Sequence, residues 1–218
     1  MRVPQPEGRK GSLMWLQRAV ATHPGLLQPA SLPPIEWLSP RAEDGFAEYR
    51  DAAFLRLVGH GALAPALGAF WPRGGPQWDA LGRAAGDAVI LVEAKAHIGE
   101  FLTGGTTASP ASRARIDSAL ARVKNALGAA PVSDWSHVFY QYANRLAHLW
   151  WLREQGVAAE LVFVSFLGDT ESHGPDHAET WQAAFAAADH ALGLPARHRL
   201  SRHVHHLYPP VAGLAETA

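Results

Sequence analysis

Three charged side chains near the middle of the chain combine the residue types and spacing that divalent-metal chemistry requires. Glu93 and Lys95 are two positions apart in the segment VILVEAK of residues 89–95, and Asp79 lies upstream of them. A β-strand points alternate side chains to opposite faces, so Glu93 and Lys95 would share one face. Carboxylate oxygens are the ligands that Mg²⁺ prefers, and a neighbouring lysine can orient a metal-bound water or offset negative charge. The spacing therefore predicts a site for a hard divalent cation.

A hairpin is the element that would bring these side chains together. Residues 88–96 are predicted as a strand whose first part, 88–92, is apolar on both faces, which is typical of a central strand covered on both sides. Residues 78–82 read as a second strand. The connection 83–87 contains a glycine and has the length of a hairpin turn. Asp79 would then lie beside Glu93 and Lys95. Burying these charges without partners would be costly, so the cluster needs a compensating ion or ion pair.

The order Asp, about a dozen residues, Glu-x-Lys on these strands resembles the PD-(D/E)XK nuclease superfamily. The sequence match is confined to residues 72–97, while the order of elements agrees over about 43–208. The resemblance implies that Asp79 and Glu93 are metal ligands for Mg²⁺ or Mn²⁺ and that Lys95 is the catalytic lysine. One departure is that Trp78, rather than a proline, directly precedes Asp79.

The same resemblance implies a further carboxylate on the first core helix. Glu48 occupies that place in a helix predicted from about Glu43 to His60, and Asp51 is a weaker substitute. The alternative for Glu48 is a solvated helix residue with no part in a site.

Several polar residues are candidates for substrate binding. Some members of the superfamily carry a glutamine on the helix after the core strands, and Gln141 lies on a helix predicted over 134–155. His137, Gln141, Arg145 and His148 recur there at three- or four-residue steps, a stripe that could face a phosphate backbone or simply be the wet face of the helix. His97 follows Lys95 closely. A further predicted helix, which ends near residue 127, carries a patch of four basic residues. The patch either contacts phosphates or is only solvated, and its residues are Arg113, Arg115, Arg122 and Lys124.

The element order predicts the fold class. Helix, strand, hairpin, helix, helix, strand, helix and strand indicate an α/β protein with a mixed central sheet flanked by helices, and the resemblance implies a restriction-endonuclease-like arrangement. Residues 67–71 are predicted as an early strand. Seven prolines precede position 41, so residues 1–42 are predicted as a proline-rich arm, helical only at about 12–22, packed on a nuclease-like domain of residues 43–212. Residues 213–218 form a tail.

Composition excludes several other classes of protein. The chain has no cysteine, so a disulfide scaffold, a thiolate metal site and a cysteine nucleophile are excluded. Its 20 acidic and 19 basic residues nearly cancel, so nucleic acid would have to bind to a local patch. Without an apolar run of membrane-spanning length or a signal peptide, we expect a soluble, cytoplasmic protein that does not bind a membrane. The histidine-rich segment 198–206 lacks a metal-ligand spacing.

The leading hypothesis is a divalent-metal-dependent nuclease that hydrolyses phosphodiesters by in-line attack of a metal-activated water. The resemblance favours DNA over RNA as substrate, and many relatives dimerise, although no segment identifies an interface for a homodimer. One alternative is a catalytically inactive nuclease-like fold that binds nucleic acid or protein, which the near-neutral charge favours. Another is an unrelated α/β protein in which Asp79, Glu93 and Lys95 form a structural ion pair.

Overall fold

A five-stranded mixed sheet organises the computed structural model, which describes residues 1–215. The strands are β1 (Arg2–Val3), β2 (Glu36–Ser39), β3 (Glu48–Tyr49), β4 (Ala80–Ala84), β5 (Ala88–Lys95), β6 (Ala159–Ser165) and β7 (Val204–Leu207). The α-helices are α1 (Gly11–Thr22), α2 (Ala52–Leu57), α3 (Ala64–Phe70), α4 (Ile98–Phe101), α5 (Pro110–Leu127), α6 (Tyr140–Glu154), α7 (Ala178–Ala191) and α8 (Ala212–Ala215). The predicted α/β class with a mixed, helix-flanked sheet is confirmed.

The sheet has the strand order β2-β4-β5-β6-β7. The first two pairs, β2 with β4 and β4 with β5, are antiparallel, and the pairs β5 with β6 and β6 with β7 are parallel. A tight turn joins β4 to β5, whereas the parallel β6 is reached only through α4, α5 and α6, as a parallel crossover requires. The short strands β1 and β3 form a separate antiparallel pair.

Strand β5 lies at the centre and is buried on both faces. Val89 and Leu91 pack into the larger core, which α2, α3, α5, α6 and α7 supply. Ile90 and Val92 pack into the second core, which contains residues of α1 and α8. Two buried faces explain why residues 88–92 of this strand are all apolar rather than alternating with polar residues. Its charged residues come only at the end, where the site lies.

Local signals fix the ends of α5. Ser109 accepts a hydrogen bond from the Ser112 N–H at 3.4 Å, and Pro110 occupies the first helical position. Gly128 ends the helix in the left-handed conformation, at φ +69°. The predicted helix start and stop are confirmed here because a cap and a terminator act within a few residues.

Two predicted elements near the start of the chain are wrong. Residues 67–71 are not a strand, because they belong largely to α3, which begins at Ala64 with Pro65 in its first turn. The single helix expected from Glu43 to His60 is instead β3 followed by the six-residue α2. Glu48 therefore lies in a strand. Short apolar runs do not distinguish the two periodicities, and pairing with β1 decides the conformation.

Residues 1–42, the predicted arm, contribute directly to the sheet. They supply its edge strand β2, and α1 covers one face, where Trp15 Nε1 donates to Asp169 Oδ2 at 2.9 Å. The edge approach requires Gly82, since a Cβ at this position would lie 2.6 Å from Ile35 Cγ2. At the other end, Leu214 of α8 is buried, and residues 216–218 of the predicted tail lie outside the described residues. No helix within residues 1–215 has both the length and the apolar composition needed to cross a bilayer.

Candidate active site

The register of the β4–β5 hairpin places Asp79 across from Glu93. Ala80 pairs with Val92, so Asp79, which immediately precedes β4, occupies the next position outward. Its backbone N–H donates to the carbonyl of Val92 at 3.2 Å, and its Oδ2 accepts the N–H of Ala94 at 2.7 Å. The backbone of β5 therefore fixes this carboxylate beside Glu93.

Glu93 is buried with two cations on its carboxylate. It is 3 % exposed; Lys95 Nζ donates to Oε1, and Arg145 Nε donates to Oε2 at 2.6 Å. Burial by itself would raise the pKa of Glu93, but Arg145 and Lys95 outweigh it and hold the pKa below the ordinary value. Burial likewise opposes the charge of Lys95, yet Glu93 and Asp79 raise its pKa. Each of these two groups therefore favours the charged form of the other.

Glu48 and Asp79 are the two carboxylates of this site that do not form an ion pair with Lys95 or Arg145. Burial raises the pKa of Glu48, opposed by the hydrogen bond from Gln77 and reinforced by the charge of Glu93. Gln77 Nε2 and Gln5 Nε2 both donate to Glu48 Oε2, the latter at 3.1 Å. Burial and the neighbouring charge of Glu93 raise the pKa of Asp79 to about 8, against the opposing pull of Lys95. The protein therefore supplies less positive charge here than would keep both Glu48 and Asp79 ionised.

These two carboxylates line one cavity of about 220 Å³, which we call the acidic cavity. Glu48, Asp79 and Ala94 form its floor. The rest of the wall comes from the N-terminal segment and is listed here: Gln5, Ser12, Leu13, Leu16 and Pro40. Residues 1–42 therefore enclose the site as well as completing the sheet.

The acidic cavity fits a divalent cation with two protein carboxylates. Mg²⁺ commonly takes one or two carboxylates and keeps several waters, and a cation between Glu48 and Asp79 would reverse the rise in both pKa values. The three-carboxylate set expected from the resemblance is reduced, because Glu93 is engaged by Lys95 and Arg145. In residues 1–215 no three histidine, aspartate or glutamate side chains form a metal-binding group.

The polar stripe predicted on the helix over 134–155 does not form a solvent-exposed face. Arg145 is 5 % exposed and is committed to Glu93, with a further hydrogen bond from Nη2 to the Gln77 carbonyl at 3.1 Å. His148 is buried against Trp71, and burial lowers its pKa to about 3. His137 precedes the helix and pairs with Asp134. Periodicity could not reveal which of these residues a second layer covers.

The remaining predicted substrate-binding residues, Gln141, His97 and Arg113, have different surroundings. Gln141, in the first turn of α6, lines a cavity that also contains Arg145. His97 is two residues beyond Lys95, with its Nε2 3.6 Å from Glu100 Oε1. Arg113 points elsewhere: Nε binds Asp117 at 3.1 Å and Nη2 donates to Ser136 Oγ at 2.6 Å.

The other cations of the predicted basic patch are also engaged within the chain. Arg115 donates to the carbonyl of Gly68, and Arg122 lies over the rings of Phe70 and Trp150. Lys124 Nζ donates to the carbonyls of the 131–133 turn. These contacts account for the positions of the basic side chains on α5 without a phosphate.

Two residues near the site were not identified from the sequence. Gln77 links Glu48 to Arg145, and its place two residues before Asp79 was the available signal. Gln5 reaches Glu48 from 43 positions away, and nothing in the sequence indicates this contact. Asp51, the suggested substitute ligand, instead accepts the N–H groups of Gly74 and Gly75.

The histidine-rich segment near the end of the chain forms a different arrangement. His203 Nδ1 and His205 Nε2 each lie within 2.9 Å of a carboxylate oxygen of Glu160. His206 points to the opposite face of β7 and stacks on Phe163. His205 and His206 therefore do not converge on one point, because neighbouring residues of a strand face opposite sides of the sheet.

Comparison with protein-family models, with curated proteins and with solved structures gives no match for this chain.

Proposed function

We propose that this protein is a divalent-metal-dependent nuclease of the PD-(D/E)XK type that hydrolyses phosphodiester bonds of nucleic acid, with DNA favoured over RNA. One observation carries the proposal: Asp79 lies across the hairpin from Glu93, with Lys95 on the same face and Glu48 beside them. A purely structural ion pair needs one acid per base, whereas here two further carboxylates with raised pKa values meet at a cavity.

The sheet supports a restriction-endonuclease-like arrangement. Counting from the edge strand β2, Asp79 introduces the second strand, and Glu93 and Lys95 lie on the third. The superfamily resemblance implies this placement of the aspartate and of the Glu-x-Lys pair. The parallel β6 follows on the far side of β5, so the end of β5 that carries the charged residues lies in the middle of the sheet.

Each residue has a definable part in the proposed reaction. Asp79 and Glu48 would hold the cation, and Glu93 would keep Lys95 charged and oriented. A bound Mg²⁺ or Mn²⁺ supplies Lewis-acid stabilisation of the phosphoryl oxygens and lowers the pKa of a bound water. Lys95 would stabilise negative charge on the phosphoryl group as the water oxygen bonds to phosphorus and the P–O ester bond breaks. Arg145 is a positioning residue, since it acts through Glu93.

A second candidate is a nuclease-like fold that binds nucleic acid or protein without cleaving it. The observation that favours it is the double engagement of Glu93 by Lys95 and Arg145, which leaves two of the three expected carboxylates at the cavity. The two candidates differ in whether the cavity binds metal and whether Lys95 matters for turnover.

The deciding experiment is a cleavage panel with Mg²⁺ or Mn²⁺: linear and circular duplex DNA, single-stranded DNA and structured RNA. We expect the wild-type protein to cleave at least one substrate and Lys95→Met to lower the rate by about 10²–10³-fold, as removal of one charge-stabilising group does. Lys10→Ala, at an exposed lysine before α1, is the matched control and should retain activity. Circular dichroism verifies that each variant folds.

Two results would contradict the nuclease proposal. Cleavage that persists in Lys95→Met would place the activity at another site or in a contaminant. Calorimetry that detects neither Mg²⁺ nor Mn²⁺ binding, together with an absence of cleavage, would favour the binding protein.

A further inference from the structure

A larger cavity, of about 580 Å³, opens next to the acidic one. Its walls are the loop 71–77, the loop 103–109 and the start of α6, and we call it the glycine-threonine cavity. Hydroxyl groups come from a set of short side chains: Thr103, Thr106, Thr107, Ser109 and Ser112. Arg73 and Arg145 also line it, and within residues 1–215 its wall contains no aspartate or glutamate. A wall with hydroxyls, positive charge and no acid suits an anionic ligand that forms many hydrogen bonds.

Two wall residues connect this cavity to the acidic cluster. Gln77 donates from its side chain to Glu48, and its carbonyl accepts from Arg145 at 3.1 Å. Arg145 in turn binds Glu93. A wall residue of one cavity, Gln77, is therefore hydrogen-bonded to a wall residue of the other, Glu48. A strand with one phosphodiester at Lys95 would bring a neighbouring nucleotide to the glycine-threonine cavity.

The walls of the cavity are held in place from outside. Asp51 accepts the N–H of Gly75 at 3.0 Å and that of Gly74 at 3.2 Å, so these two amides are unavailable to a ligand. A Cβ on Gly105 would lie 2.7 Å from the Ser136 carbonyl oxygen, because the 103–109 loop packs closely on the segment before α6. The cavity is thus pre-formed, and anion binding falls to Arg73 and the hydroxyls.

Gln141 provides a hydrogen-bonding group that the protein itself does not use. Its Oε1 is buried and has no donor among the residues that the structure describes. An unsatisfied buried acceptor is costly, and the terminal amide torsion is soft, so rotation of the amide would let Oε1 accept a hydrogen bond from a ligand in the cavity. The half-buried Tyr140 lines the same wall and offers an aromatic surface. Together they suit a nucleobase, whose N–H group would donate to Gln141 Oε1 and whose face would stack on the ring of Tyr140.

We propose that the glycine-threonine cavity binds one unpaired nucleotide of the substrate strand, next to the phosphodiester that is cleaved. Its phosphate lies towards Arg73, and the amino or imino edge of its base donates to Gln141. The inference rests on the proposed function for the identity of the substrate. It adds a restriction: a base in a duplex has its hydrogen-bonding edge occupied and its faces stacked, so the substrate must present a single strand or a frayed end.

Binding is measured separately from cleavage by using the full chain with Lys95→Met, without metal, and a 5′-fluorescein single-stranded hexanucleotide in an anisotropy titration. We expect Gln141→Met to raise Kd about five-fold through the lost hydrogen bond. Arg73→Gln should raise Kd to a similar extent, since a charge-assisted contact is lost. Arg199→Gln, at an exposed arginine that pairs with Glu154, is the matched control and should leave Kd within about two-fold.

A second series moves one abasic position along the hexanucleotide. At one position the missing base should weaken binding about ten-fold, the scale of base–aromatic stacking. In Gln141→Met the abasic site at that position should reduce affinity much less, because the contact between Gln141 and the base is already absent. A blunt-ended hairpin whose stem contains the same six bases should bind more weakly than the single strand.

The results separate this inference from the proposed function. Unchanged Kd in both Gln141→Met and Arg73→Gln, a uniform response along the abasic series, or no oligonucleotide binding by the parent protein would each overturn the nucleotide cavity. Oligonucleotide binding that depends on Gln141 supports it even where the wild-type protein cleaves nothing, and only the nuclease proposal then fails.

Discussion

Arg145 on α6 donates through Nε to Oε2 of Glu93 on β5 at 2.6 Å, and both side chains are almost fully buried. The pair joins the helix layer to the one charged end of the central strand. It keeps Glu93 ionised, and Glu93 in turn keeps Lys95 charged at the candidate site. A helix residue 52 positions away thereby determines the electrostatics of the Glu-x-Lys pair.

Loss of Arg145 should destabilise the fold strongly. Arg145→Met leaves a buried carboxylate with Lys95 as its remaining cation, and we expect the free energy of unfolding to fall by about 3–5 kcal/mol. Urea denaturation of Arg145→Met, Glu93→Gln and the double variant forms a double-mutant cycle, in which the double variant should lose less than the sum. Arg113→Met removes a more exposed pair with Asp117 and should cost about 1 kcal/mol or less. Additive losses would show that Arg145 and Glu93 are not coupled.

The raised pKa of Asp79 should make the metal-free protein less stable as pH rises. The folded chain keeps a proton on Asp79 up to about pH 8, whereas the unfolded chain loses it near the ordinary pKa of 3.8. Between these values the folded state binds more protons, so stability is present at low pH and declines with a slope of at most about 1.4 kcal/mol per pH unit. Asp79→Asn should flatten the unfolding free energy measured in urea from pH 5 to 8. An unchanged slope in this variant would contradict the assignment.

His148 should make the protein less stable as pH falls, which is the opposite pH dependence to that of Asp79. Burial lowers its pKa to about 3, so the unfolded state takes up a proton near 6.5 while the folded state does not. Stability is therefore present above pH 6.5 and is lost as pH falls, by about 2–3 kcal/mol at pH 4.5. The measurement is urea denaturation at pH 7 and 4.5. His148→Leu, which places an apolar side chain beside Trp71, should show a smaller loss, and an equal loss would assign the acid sensitivity elsewhere.

Glu48 should contribute directly to metal affinity. Glu48→Gln keeps the size of the side chain but removes one of the two carboxylates at the acidic cavity, so we expect Mn²⁺ affinity to fall at least about ten-fold. Isothermal titration at pH 8.5, where Asp79 is largely ionised, gives the affinity. Glu43→Gln, at an exposed glutamate of the same segment, is the control. Equal Mn²⁺ binding by Glu48→Gln and wild type would remove Glu48 from the site.

The α5 caps and the β4–β5 hairpin show what can be inferred locally. Ser109, Pro110 and Gly128 act within a few residues of the helix ends that they determine. Glu93 and Lys95 share a face because the strand period is two, and the short turn forces Asp79 to their level. The helix predicted around Glu48 failed because residues 46–60 contain apolar positions compatible with more than one periodicity.

The sequence by itself determined the central apolar strand, its terminal Glu-x-Lys, the hairpin that returns Asp79 to it and the α/β class, because periodicity, turns and caps act over short distances. Only the tertiary structure decided that Arg145 is buried on Glu93, that Glu48 lies in a strand beside Asp79, and that the first 42 residues supply an edge strand and a wall of the acidic cavity. These features depend on packing between segments far apart in the chain, where burial makes an unpaired charge costly and leaves few side chains able to compensate it.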